Sequence, residues 1–169
     1  MPAISMYRAS VPVFTCVLKN LDSILDKAAT YAAEKKIDPG VLLNSRLAPN
    51  MFALTRQVQI VTDQIKGCVS RLAGVDIPRY EDNETTFAEL KARLNKTLDY
   101  ISSFKPEQIN GTEDKHISLK LGNSQYEFNG LDYLLNAVTM HVYFHYTTTY
   151  AILRHNGLEI GKGDYIGQG

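Results

Sequence analysis

Thiols are scarce in this chain. Only Cys16 and Cys68 occur in 169 residues, and neither belongs to a CxxC pair. That leaves no disulfide framework, and both cysteines fall within apolar helical patterns where free thiols act as small buried hydrophobes. Net charge is also absent: 18 basic residues balance 18 acidic ones, and no basic run exceeds Lys35-Lys36. A balanced chain lacks the positive field that nucleic acids and anionic membrane surfaces select, so neither is an expected partner. No apolar run is long enough to span a bilayer. The N-terminus has no apolar signal core behind a basic segment, which makes a cytoplasmic protein the expectation. Phosphate-binding glycine loops, dinucleotide fingerprints and nucleophile-elbow motifs are missing too. Gly157, Gly161 and Gly163 follow a helical pattern instead of preceding one, so they form no phosphate cradle.

What is present is enough apolar content, 44 % of residues, for a sizeable core, and a length that suits one domain over residues 1–169. Periodicity predicts four helices. The first runs from Pro12, or from nearer Ser5, to Lys36, with Phe14, Val17, Leu18, Leu21, Ile24, Leu25, Ala28 and Ala32 as its apolar stripe. Asp38-Pro39-Gly40 breaks it. The second spans Pro49 to Ala73, where Leu54, Val58, Val61, Ile65, Cys68 and Leu72 alternate steps of four and three, and Gly74 is placed to end it. Thr86-Phe87-Ala88-Glu89 matches a capping box and opens the third, which Pro106 closes. His116 to Leu121 and Gln125 to Phe128 alternate apolar and polar residues around Gly122-Asn123-Ser124, predicting a small β-hairpin. The fourth helix starts after Asn129-Gly130 and stops at Asn156-Gly157, and the glycine-rich tail is expected to wrap the surface. Four helices with a long third-to-fourth connection make an all-α four-helix bundle.

The chemistry concentrates in the fourth helix. His141 and His145 stand four residues apart, hence on one helical face. Two imidazoles so placed can share a divalent metal, with zinc, nickel, iron or manganese as candidates, or serve as polar members of a packed face. A third ligand has to come from elsewhere, and His155, about 15 Å further along the helix, is out of reach. The aromatic cluster Tyr143, Phe144, Tyr146 and Tyr150 reads first as packing and second as the wall of a mostly apolar ligand pocket. Thr147-Thr148-Thr149 reads as hydroxyls bonding back to their own helix, or as a polar lining beside His145. On the second helix Asp63 is expected to be a surface charge, and Gln57, beside the apolar seam, is the stronger pocket candidate. Asp82-Asn83-Glu84 is read as loop and capping chemistry, because its spacing is not that of a calcium loop.

Leu47-Ala48-Pro49-Asn50-Met51, Asp82 to Phe87, and Phe144-His145 through Asn156-Gly157 resemble a domain-of-unknown-function branch of the DinB/YfiT-like superfamily. The resemblance covers nearly the whole chain, from Met6-Tyr7 to Gly161-Lys162. It implies a DinB/YfiT-like four-helix bundle with extra structure between the third and fourth helices, and a homodimer. Better-studied members are assigned as metalloenzymes, some of them thiol transferases. Their metal triad takes one histidine from the second helix and an HxxxH pair from the fourth. His141 and His145 match that pair in type and spacing. The second-helix histidine is absent, and Gln57 is its nearest occupant. The leading expectation is therefore a dimeric bundle that binds a small molecule between the second and fourth helices, lined by Gln57, Tyr143, His145 and Thr148. The alternatives are a metal-dependent transferase or hydrolase using His141 and His145, and a non-catalytic scaffold or stress protein.

Overall fold

The computed structural model describes residues 4–121 and 123–167. The expected hairpin turn residue Gly122 and the last two residues of the tail lie outside them.

Helix α1 (Met6–Glu34) starts at the earlier of the two expected positions, because the Ser5 hydroxyl accepts from the Arg8 backbone N–H and caps it. Pro12 is carried inside the helix. The Asp38-Pro39 break restarts the chain at once as a short α2 (Pro39–Leu43): Asp38 caps it and Pro39 supplies a pre-set first-turn φ. The second bundle helix, α3 (Leu54–Ala73), begins five residues later than the pattern predicts. Residues 48–51 close a turn through the Met51 N–H and the Ala48 carbonyl. Gly74, at φ 73°, ends α3 as expected. The capping box is complete on α4 (Phe87–Ser102): Thr86 Oγ1 accepts from Glu89 N–H, and Glu89 accepts from Thr86 N–H. A short α5 (Pro106–Ile109) leads to the antiparallel pair β1 (Ile117–Leu121) and β2 (Ser124–Phe128), in which Leu119 faces Tyr126 and Ile117 faces Phe128.

The last bundle helix is interrupted. One turn, α6 (Gly130–Asp132), widens into a π-helical stretch over Tyr133–Val138 before α7 (Thr139–His155). The Leu134 carbonyl accepts both the Thr139 N–H, five residues on, and the Thr139 hydroxyl, 2.7 Å away. The second bond satisfies a carbonyl that a widened turn leaves more open. Gly157 (φ 91°) and the Leu158 N–H to Leu153 carbonyl bond close α7. The tail then forms α8 (Lys162–Ile166), which lies on α1 and stacks Tyr165 on Tyr146, ring centroids 4.2 Å apart.

Helix α1 packs on α4, α4 on α3, and α3 on α7, with α1 also meeting α7. The predicted stripes all point inward: Phe14, Leu21, Leu25, Val58, Val61, Ile65, Cys68 and Leu90 are among the fully buried residues. Burying one such side chain is worth about 1.5–3 kcal/mol, and the shared core is what holds the helices together. Among the described residues no helix is long and apolar enough to cross a membrane.

Candidate functional site

The seam between α3 and α7 brings Gln57 and His145 together. Gln57 sits at the buried start of α3, where its Nε2 donates to the Phe52 carbonyl at 3.0 Å. That fixes the amide, so Oε1 is the atom 2.6 Å from His145 Nδ1. An amide oxygen only accepts, so Nδ1 carries the proton and Nε2 keeps its lone pair. Burial, reinforced by the positive potential of His141 and Arg56, pushes the imidazolium of His145 down to about 4. At neutral pH it is a neutral ring in a single tautomer.

The other expected residues divide. The His141 ring stands nearly perpendicular to that of His145, centroids 6.4 Å apart, and is exposed. Thr148 is buried, and its hydroxyl bonds back to the Phe144 carbonyl at 2.7 Å, as Thr149 does to His145. Tyr143 is on another side of α7, where Tyr165 and Cys16 reinforce the upward push of burial on its phenol. It does not join Gln57 and His145. His116 pairs with Glu127 on the hairpin instead.

The resemblance implies a metal, so the donor set can be tested directly. His145 offers Nε2, and His141 stands one turn away. The Gln57 oxygen, in place of the expected third histidine, is already committed to His145 Nδ1. Among the described residues no group of three or more His, Cys, Asp or Glu side chains converges to hold a metal. The residues present do not fit a three-ligand catalytic centre, which needs three protein donors with one position open.

Further along the same seam, α3, the π-helical stretch and the hairpin line a cavity of about 420 Å³, a size that suits a small organic ligand. His141 lines it, together with apolar side chains of the hairpin (Leu119, Tyr126, Phe128) and Val138 of the π turn. Its polar side is formed by Arg71 with Gln64, Ser118, Lys120 and Asn136. The Arg71 Nη1 donates to the Tyr133 hydroxyl at 2.9 Å, and burial pushes that phenol up to about 12, so it stays neutral. The guanidinium fits because the residue one turn earlier is Gly67, where an added Cβ would stand 2.7 Å from Nη1. None of this was read from the sequence. A glycine inside the α3 seam, four residues before an arginine, was the available signal, since mid-helix glycine costs ~1 kcal/mol against alanine and needs a reason.

A second polar centre was also missed. Arg93 of α4 is buried, and its Nε donates to Thr62 Oγ1 at 2.6 Å. Its Nη groups reach Asp63 at 2.8 Å, with Glu84 and Asp82 each at 3.0 Å. Asp63, expected as a surface charge, and Asp82 and Glu84, expected as loop and capping residues, are therefore counter-ions that strap the 75–85 connection across α3 and α4.

The comparisons with known proteins agree with this architecture. A family model described as "Domain of unknown function (DUF1993)" matches residues 6–166. A crystal structure at 1.83 Å resolution of a DinB family member protein from Shewanella denitrificans is 40 % identical, covers 96 % of this chain and 92 % of that one, and superposes with a TM-score of 0.87. No functionally curated protein matches. The chain belongs to the DUF1993 family and has the fold of a DinB-like helical bundle.

Proposed function

We propose that this DUF1993-family chain is a small-molecule-binding bundle whose ligand occupies the cavity between α3, the π-helical stretch and the hairpin. One observation carries the reading: a ligand-sized cavity, with apolar and aromatic side chains beside polar ones, lies between α3, the π-helical stretch and the hairpin, with His141 at its edge. The π turn lends further support, since such turns in α-helices cluster at functional sites. His145 stands outside the cavity lining, held by Gln57, and is assigned no catalytic step. A metal-dependent transferase or hydrolase built on His141 and His145 is the competing reading, and the donor set above argues against it.

The test is a thermal-shift screen of an organic fragment set, run with and without chelator on untagged protein. The expected outcome is stabilisation by some fragments that chelator leaves unchanged; a fragment at a hundred times its dissociation constant should add about 2.7 kcal/mol. Stoichiometric metal in purified protein, lost in His145→Ala together with activity, would overturn it.

A homodimer is the second part of the proposal, and a specific surface favours it. Leu131, Leu135, Met140 and Phe144 are all exposed, the last two at 65 % and 56 %. A π turn takes one residue more than an α turn, so the five-residue step from Leu135 to Met140 continues the four-residue steps on either side of it. The result is one exposed apolar ridge, the kind of patch that a second copy covers. Light scattering across a concentration series should give a dimer that Phe144→Glu splits; a wild-type monomer at all concentrations would contradict it.

A further inference from the structure

The chemistry of the cavity says more than its size. Among the described residues Arg71 enters no ion pair. Its side chain makes one hydrogen bond, to a neutral phenol, and its charge also lies 5.9 Å from the centre of the Tyr133 ring. The guanidinium is half-buried, and a ring face and one hydroxyl leave most of its five donors unused. The lining carries Arg71 and Lys120 but no aspartate or glutamate. The nearby carboxylate on α6, Asp132, is already held by the side-chain amides of Asn129 and Asn136. A positive, planar, forked donor therefore faces, without a counter-ion, a cavity that has an apolar and aromatic wall on one side. The chain also has a glycine inside α3 at a position where an added side chain would push that guanidinium aside.

We infer that the cavity beneath the hairpin takes an organic carboxylate, whose carboxylate group pairs with Arg71 while its aromatic or aliphatic body lies against Leu119, Tyr126, Phe128 and Val138. The inference rests on the small-molecule reading above and adds the ligand class. A carboxylate matches the guanidinium fork geometrically, and the surrounding apolar wall excludes the water that would otherwise screen the pair. The same wall selects against small inorganic anions, which have nothing to place on it. Gly67 and Tyr133 are positioning residues: the first leaves room for the guanidinium and the second holds one of its nitrogens, leaving the rest free.

The test uses two probes of nearly identical shape, 3-phenylpropionate and its neutral amide 3-phenylpropanamide. Binding is followed by calorimetry, and location by the NMR shifts of the Leu119, Ala137 and Val138 methyls. In the intact protein the carboxylate should bind at least about tenfold tighter than the amide, as a charge-assisted pair outweighs a neutral one, with the margin narrowing as salt is added. Arg71→Met should remove the margin, with carboxylate affinity falling to that of the amide or below. Gly67→Ala should do the same through displacement of the guanidinium, which keeps the outcome informative if Arg71→Met fails to fold. Equal binding of the two probes at the cavity methyls, or a margin that survives both substitutions, overturns the carboxylate inference and leaves the cavity reading standing. If neither probe moves those methyls, both are overturned.

Discussion

Arg93 on α4 and Arg71 on α3 lie in the same bundle and have opposite surroundings. Arg93 is surrounded by Asp63, Asp82, Glu84, the Glu81 carbonyl and the Thr62 hydroxyl. Tyr80 adds its ring face, 5.4 Å from the guanidinium carbon. Its hydrogen-bonding capacity is spent within the fold. Arg71 has one phenol and a cavity with an apolar and aromatic wall on one side. A buried charge that is fully paired belongs to the architecture, because removing one partner strands the others. A half-buried charge left without a counter-ion is affordable only if solvent or a ligand completes it. The difference assigns a structural role to the α3–α4 strap and supports the proposed ligand site at the hairpin cavity.

That contrast can be broken in several ways. The largest effect is expected from Arg93→Ala, which strips Glu84 of its guanidinium partner and leaves Asp63 to Lys66 alone. A loss of about 3 kcal/mol in urea unfolding is expected. Arg71→Met should cost well under that, since no carboxylate depends on it; equal losses at the two sites would erase the distinction.

Next comes pH. The folded His145 has its pKa pushed from an ordinary 6.5 down to about 4. A depressed histidine contributes its stability in full above the unfolded value and loses it as pH falls from about 6.5 toward 4. Allowing for the partial exposure of the ring, the loss should be roughly 2 kcal/mol between those limits. Gln57→Leu should abolish the fixed tautomer, read from imidazole nitrogen shifts. A wild-type His145 that titrates near 6.5 with its proton on Nε2 would contradict the assignment.

Smallest is Gly67→Ala. Alanine gains ~0.5–1 kcal/mol of helix propensity over glycine, and the clash is with the movable end of Arg71. The protein should become slightly more stable while carboxylate selectivity disappears. A gain in stability with selectivity intact would show that Gly67 serves packing alone.

Much of the fold was legible because its signals are local or periodic. The Thr86–Glu89 box lies within four residues, the Leu54-to-Leu72 seam repeats by steps of four and three, and Gly74 and Gly157 sit where a left-handed cap is needed. The hairpin followed from alternation. The late start of α3 was not legible, since it depends on a turn closed by Ala48 and Met51. The π stretch was hidden for a similar reason: an α-helix and a π turn share the same apolar residues, and only the Thr139–Leu134 bonds tell them apart. Within the candidate site, Gln57 and His145 were expected in one pocket between two helices, with Tyr143 and Thr148; the 2.6 Å contact and the absence of Tyr143 from it required the tertiary seam. Arg71 and Arg93 looked alike in the sequence. Their partners come from distant segments, so composition could not separate a saturated arginine from an unsaturated one.

The most direct measurement of the central claim is methyl NMR of the labelled protein against a mixed set of neutral and charged organic fragments. The account predicts that the largest shifts fall on Leu119, Ala137 and Val138, the methyls of the hairpin cavity. Binding that leaves those methyls unmoved and shifts Leu158 instead, in the groove beside α1, would contradict it.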